Sequence, residues 1–212
     1  MARRPARSWR SQAEVGTFSM LTLRKSVARY GIGLLACPIA ALLYGTTAAH
    51  AEERVCRGTI GAVTLDNVRV PAGASCRLER TRAQGTVKVE RNGRLTAVRV
   101  MVIGNVQAEG AASVAVRNGS RIGGSVQVVQ GGSATIVGSQ VNGSIQLESN
   151  RGPLRVLDNV VDSDVQAFQN RGGVEIGDNR IDGNLQCKAN TPAPTGAGNV
   201  VQGNKEDQCR NL

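Results

Sequence analysis

Two pairs of aspartates recur one repeat apart, Asp158 with Asp178 and Asp162 with Asp182, with Asp164 close by and Arg155 and Arg180 in the same stretch. If the chain stacks at that spacing, each pair brings two carboxylates to about 5 Å, the separation of adjacent strands. Carboxylates that close repel, which either raises one pKa, as a general acid needs, or draws in an oxygen-seeking cation such as calcium. The same residues also read as a solvated corner with local ion pairs. A second column carries amides: Gln107, Gln127, Gln146, Gln166 and Gln186 follow one another at 19 or 20 residues, with Lys88 ahead of them. A flat row of amides could dock a repeating polymer such as a polysaccharide, pair with another copy of itself, or simply keep a solvated sheet soluble.

What is missing narrows the chemistry further. The first 51 residues read as a secretory signal peptide: Arg24, Lys25 and Arg29 precede an apolar run from Tyr30 to Tyr44, and Ala49-His50-Ala51 is a small-x-small cleavage site. Met20 sits where such a leader starts, so residues 1–19 read as an over-extended start. The apolar run falls short of the roughly 20 residues that a membrane-spanning helix needs, and the cleaved chain is expected to make no stable membrane insertion. Removing the leader takes with it His50, Trp9, Tyr30, Tyr44 and Phe18. The mature chain then has no His, no Trp and no Tyr, and Phe168 is its one aromatic residue.

Without His there is no Ser-His-Asp triad, no Cys-His pair and no imidazole zinc site. With Phe168 as its one aromatic residue, the mature chain has no stacking platform for sugars or single-stranded nucleic acid. The whole chain carries a formal charge of +10, but residues 52–212 hold 19 Lys and Arg against 15 Asp and Glu, a net of +4. That excess does not make a polyanion binder, and no nucleic-acid partner is expected.

Four cysteines remain after cleavage, Cys56, Cys76, Cys187 and Cys209. An even count in an exported chain favours disulfides over metal or redox use. Three pairings exist, and the two cysteines near each end are separated from the other two by several repeats. Cys56–Cys76 and Cys187–Cys209 are the expected bridges, each fastening one end; the alternative is free buried thiols.

The elements that would hold these groups are written in the aliphatic residues. Thirty positions fall into five columns of six, all Ala, Val, Leu, Ile or Cys, at 19 or 20 residues: the columns start at Cys76, Leu78, Ala83, Val87 and Val89 and end at Val174, Ile176, Ile181, Leu185 and Cys187. Period-two alternation in runs of three to five residues, divided by Gly and Asn corners, gives short strands and not helices. The expected fold is all-β: a single-stranded, right-handed, three-sided parallel β-helix of about six regular coils, stacked roughly 4.8 Å apart and capped at both ends. Residues 52–75 are expected as an irregular N-terminal cap coil, 76–193 as the β-helix and 194–212 as the C-terminal cap. Asn92, Asn150, Asn170 and Asn190 recur four residues after the Gln column, where Asn suits a left-handed corner and can bond along the axis.

In these columns and corners the sequence resembles the right-handed parallel β-helix superfamily, the pectate-lyase-like architecture with its internal Asn ladder, and small exported bacterial β-solenoids. The resemblance spans about residues 76 to 193 and implies architecture only, since lyases, hydrolases, adhesins and phage spikes share it. In the lyases of that architecture, calcium is held by acidic side chains and an Arg or Lys serves as base. No motif here lets those roles be carried over residue by residue.

The expectation is therefore an exported, non-enzymatic β-solenoid, secreted, periplasmic or at the cell surface, with the Gln column as its contact face and a polysaccharide or cell-surface component as partner. No cofactor is expected beyond calcium. The rival is a calcium-dependent polysaccharide lyase or glycoside hydrolase using Asp158, Asp162, Asp178 and Asp182 with Asp164 and Arg155 or Arg180. A third reading, a filament former like the bactofilins, conflicts with a leader and capped ends.

Overall fold

The computed structural model describes residues 52–212, so the expected leader, cleavage site and chain start lie outside the described residues. Those residues contain no α-helix and form three parallel sheets. The first sheet has nine strands, from Glu53–Val55 through Val126–Val129 and Ile145–Glu148 to Lys205–Asp207. A second has seven strands, from Gly58–Ile60 to Val174–Gly177, and a third has eight two-residue strands, from Thr64–Leu65 to Val200–Val201. Each strand pairs with the corresponding strand one coil earlier and one coil later, so the chain winds as a three-sided parallel β-helix of about eight turns.

The register follows the aliphatic columns without a slip. Val106 faces Val126, Val126 faces Ile145, and Ile145 faces Val165 along the first sheet. Ile122, Val141 and Val161 do the same along the third. All five columns point inward and are buried, forming one continuous core that also takes in Cys56, Val68, Val70, Cys209 and Leu212. With a side-chain period of two, a one-residue slip would turn every column outward, and burial on one face forbids that.

The coil count corrects the expected six, and so does the order of the flanks. Residues 52–75 are not irregular: Gly58, Thr59 and Ile60 pair with Cys76, Arg77 and Leu78, and Thr64–Leu65 and Asn67–Val70 each pair with the next coil. Past Pro194, Thr195 bridges to Glu175, and Val200–Val201 and Lys205–Asp207 stay in register with the last full coil. These outer coils keep the backbone ladder while losing the aliphatic pattern. Gly58 takes the place of the Cys76 column, and Lys205 and Asp207 continue the Leu185 and Cys187 columns. Cys209 and Leu212 join the core at this end, with Val201 packed against it.

Both expected disulfides form, Cys56–Cys76 with its Cα atoms 5.5 Å apart and Cys187–Cys209 at 5.2 Å. Each ties a terminal coil or cap to its neighbour, and bridges of this kind belong to an oxidising, extracellular or periplasmic setting.

One corner approaches so closely from coil to coil that it excludes side chains. A Cβ on Gly172 would collide with the backbone C and O of Gly152, and one on Gly132 would collide with the carbonyl of Ala112. Gly172→Ala forces two stacked backbones apart and is expected to destabilise the fold by about 1–3 kcal/mol, read as a lower urea midpoint with an unchanged slope. Gly119 meets nothing within 4 Å, and its replacement tests the backbone angle alone.

Candidate contact face and corner ladders

The Gln column lies on the outer face of the nine-stranded sheet, and its amides bond to one another. Each Gln donates from Nε2 to Oε1 of the next: Gln107 to Gln127 at 3.3 Å, Gln127 to Gln146 at 2.7 Å, Gln146 to Gln166 at 3.2 Å and Gln166 to Gln186 at 2.9 Å. Gln186 donates to Oε2 of Glu206 at 2.9 Å. A carboxylate only accepts, so Glu206 fixes the direction of the whole chain of bonds, N–H pointing toward the C-terminal end. At the other end the column continues with Lys88 and Arg69. Cations therefore sit where the amide oxygens point and an anion where the N–H groups point, the arrangement that a line of aligned dipoles favours.

Arg69 donates from Nε to Glu53 Oε2 at 2.6 Å and lies 3.4 Å from Glu90. The hydrogen bond to Glu53 is the chief reason that its guanidinium pKa is held above the ordinary value. Beside the Gln column runs a second outward column, Glu90, Glu109, Val129, Glu148, Phe168 and Lys188.

On the other side of the Gln column, Thr86, Asn105, Ser125, Ser144, Asp164 and Asn184 form a ladder to the backbone. The side-chain oxygen of each accepts the N–H one coil later: Ser125 N–H donates to Asn105 Oδ1 at 2.8 Å, Ser144 N–H to Ser125 Oγ at 3.1 Å, and Asn184 N–H to Asp164 Oδ1 at 2.7 Å. Asp164, a candidate acid, is thus one rung of a structural series that Asn67 opens and Asn204 closes.

A second ladder, fully buried, runs inside the corner between the first and second sheets. Asn150 donates from Nδ2 to Val128 O at 2.9 Å and to Asn170 Oδ1 at 3.1 Å, and its own N–H donates to the same Oδ1 at 3.0 Å. Asn170 repeats this with Leu147 O and Asn190, and Asn190 with Ala167 O and Oε1 of Gln208, which ends the series. Here the expectation of left-handed asparagines needs correcting. The left-handed backbone falls on the residue before each ladder position, Gln130, Ser149, Gln169 and Ala189, while Asn150, Asn170 and Asn190 turn inward. Asn92 does adopt the left-handed angle, but it is exposed and stands outside the ladder.

A third ladder was not anticipated. Asn159, Asn179 and Asn199 stack in the corner between the second and third sheets, Asn159 Nδ2 donating to Asn179 Oδ1 at 3.0 Å and Asn179 Nδ2 to Asn199 Oδ1 at 2.9 Å. Each also donates to a carbonyl of an earlier coil, Ile136, Val156 and Ile176. The signal was present as Asn at an interval of 20, but next to Asp158, Asp178 and Gly198 it reads as ordinary turn composition. Among the described residues no buried side-chain nitrogen or oxygen lacks a partner.

The candidate acids separate around this corner. Asp158 and Asp178 carry left-handed φ values of 54° and 55°, a conformation that Asp, Asn and Gly tolerate best. Asp162 and Asp182 lie beyond the two-residue strands Val160–Val161 and Arg180–Ile181. Asp182 accepts a bond from Gln202 at 2.8 Å and lies 3.6 Å from Arg180. Arg155 is on the outer face of the second sheet, bonded to Glu175 at 2.8 Å. Among the described residues no three His, Cys, Asp or Glu side chains gather as a metal site would require. No family model, curated protein or solved structure matches the chain.

Proposed function

We propose that this chain is an exported, non-enzymatic β-solenoid of the cell envelope or surface, a structural or adhesive module that makes contact through its Gln face. The observation that carries this reading is the continuous outer amide row, bonded end to end over five coils and closed by Glu206. Such a row is stiff, because each amide is held by its neighbours, and it presents the remaining N–H and lone pair of every Gln at one interval of about 4.8 Å. Affinity for a repeating partner then comes from many weak contacts made at once. The leader read in the sequence and the two buried disulfides support export. The backbone roles of Asp158, Asp164 and Asp178 support a structural reading of these acids over a catalytic one.

The test replaces Gln127, Gln146 and Gln166 together with Lys. The column already holds Lys88, so its backbone accommodates the side chain, but three stacked cations repel and end the amide row. Retention of labelled protein on whole cells and on a panel of neutral and acidic glycans is expected to fall at least tenfold, with the circular dichroism spectrum unchanged. Equal retention by the variant and the parent overturns the reading.

A further inference from the structure

We infer that the occupant of the Gln face is a second copy of the same face, laid against it with the two solenoid axes antiparallel. This rests on the reading of the Gln face as the contact surface and names its partner. The outward column runs Arg69, Lys88, Gln107, Gln127, Gln146, Gln166, Gln186, Glu206, one residue per coil. Turning a copy about a two-fold axis parallel to the strands sets this column against itself in reverse. Arg69 then faces Glu206, Lys88 faces Gln186, Gln107 faces Gln166 and Gln127 faces Gln146.

The neighbouring column obeys the same operation. Glu90 comes opposite Lys188, Glu109 opposite Phe168, and Val129 opposite Glu148. No charged side chain of either column meets one of its own sign. Docking with the solenoid axes parallel gives a different result, because Arg69, Lys88 and Glu206 each then face their own copy. Like charges set opposite one another discriminate against a docking mode, so the two settings are far from equivalent.

Amide polarity selects the same setting. All five Gln side chains point their N–H groups toward the C-terminal end. Two such aligned rows attract when antiparallel and repel when parallel. Both rows also share one coil spacing by construction, so contacts made at one coil recur at every other, as in the stacked sheets of a cross-β zipper. Isologous pairing about a two-fold axis closes on itself and produces a dimer, not a filament.

Eight coils at about 4.8 Å and strands of three to four residues give a face of roughly 400 Å² per copy, about half the area of a standard interface. The dimer is accordingly weak and reversible, and cross-linking is the suitable readout. The full chain is made as two variants, Lys88→Cys and Gln186→Cys, which are mixed and treated with a short bis-maleimide, the linked peptides being identified by mass spectrometry. The mixture is expected to yield links from position 88 of one copy to position 186 of another at least tenfold above either like pair, and to lose them in molar salt. Links joining position 88 to position 88, or 186 to 186, in preference would overturn the antiparallel setting.

Sedimentation of the parent chain over a concentration series should show a mass rising above the monomer. A strict monomer without cross-links sinks this inference, and the glycan and cell retention of the parent then decides separately whether the Gln face is a contact surface. A dimer whose mass is unaffected by the Gln-to-Lys triple variant would place the interface elsewhere and overturn this inference alone.

Discussion

Asn170→Ala is expected to lower the stability of the β-helix by about 4 kcal/mol, although it removes only a carboxamide. The side chain accepts two bonds from Asn150, backbone and Nδ2, and donates to Leu147 O and Asn190 Oδ1, all in a corner closed to solvent. Removing it leaves two donors and the Leu147 carbonyl short of a partner, each costing about 1–3 kcal/mol when buried. The total is not a simple sum, because the rungs of the ladder polarise one another and share partners.

Asn170→Asp separates the hydrogen bonds from the loss of volume. The carboxylate still accepts from Asn150 but has no proton for Leu147 O, and burial raises its folded pKa above the unfolded value of about 3.9. The protonated form is the one that the native site favours, so stability is greatest below the unfolded pKa and is lost as pH rises from there through the folded one. Urea midpoints at pH 3.5 and pH 7 should therefore converge on the parent in acid and diverge from it at neutrality. A variant equally stable at both pH values, or an Asn170→Ala cost under about 1 kcal/mol, would show that the ladder is decoration.

Removing the Cys187–Cys209 bridge as a double Ala variant is expected to cost about 3 kcal/mol, the loop-closure value for a bridge spanning 22 residues. The effect should be local. In a solenoid each coil touches only its neighbours, so a terminal coil can open while the middle stays folded. Hydrogen exchange should accelerate over residues 200–212 first and leave Ile136, Ile145 and Val156 protected. Gln208, which ends the buried ladder at Asn190, sits beside Cys209, so loss of the bridge also loosens the final rung. Uniform acceleration along the whole chain would mean that the cap and the core unfold as one unit.

The core was legible in the sequence because aliphatic residues, with cysteines only toward its ends, fill it in unbroken columns, and one column misplaced by a single residue would have put Val126 or Ile145 outside. The flanking coils were not, because Gly58, Lys205 and Asp207 break the columns where backbone pairing alone continues them. Of the three ladders, the buried one at Asn150, Asn170 and Asn190 showed through its fixed offset from the Gln column. The outer corner ladder could not, since any short side chain with an oxygen serves as a rung: Thr86, Asn105, Ser125 and Asp164 all do. The Gln column was visible as a repeat, but its direction was not, because that depends on Glu206 lying one coil past Gln186.

The direction of the buried ladders also bears on how the molecule is made. Asn150, Asn170 and Asn190 each donate forward, to an oxygen that lies 18 or 20 residues further along the chain. A polypeptide emerging from its N-terminus must therefore wait at every turn for the next to arrive before its interior is quenched. In the Asn150 ladder the deficit passes from rung to rung and is cleared by Gln208. Until Gln208 is in place the two Asn190 donors stand open in the core, so this ladder is quenched from its C-terminal end.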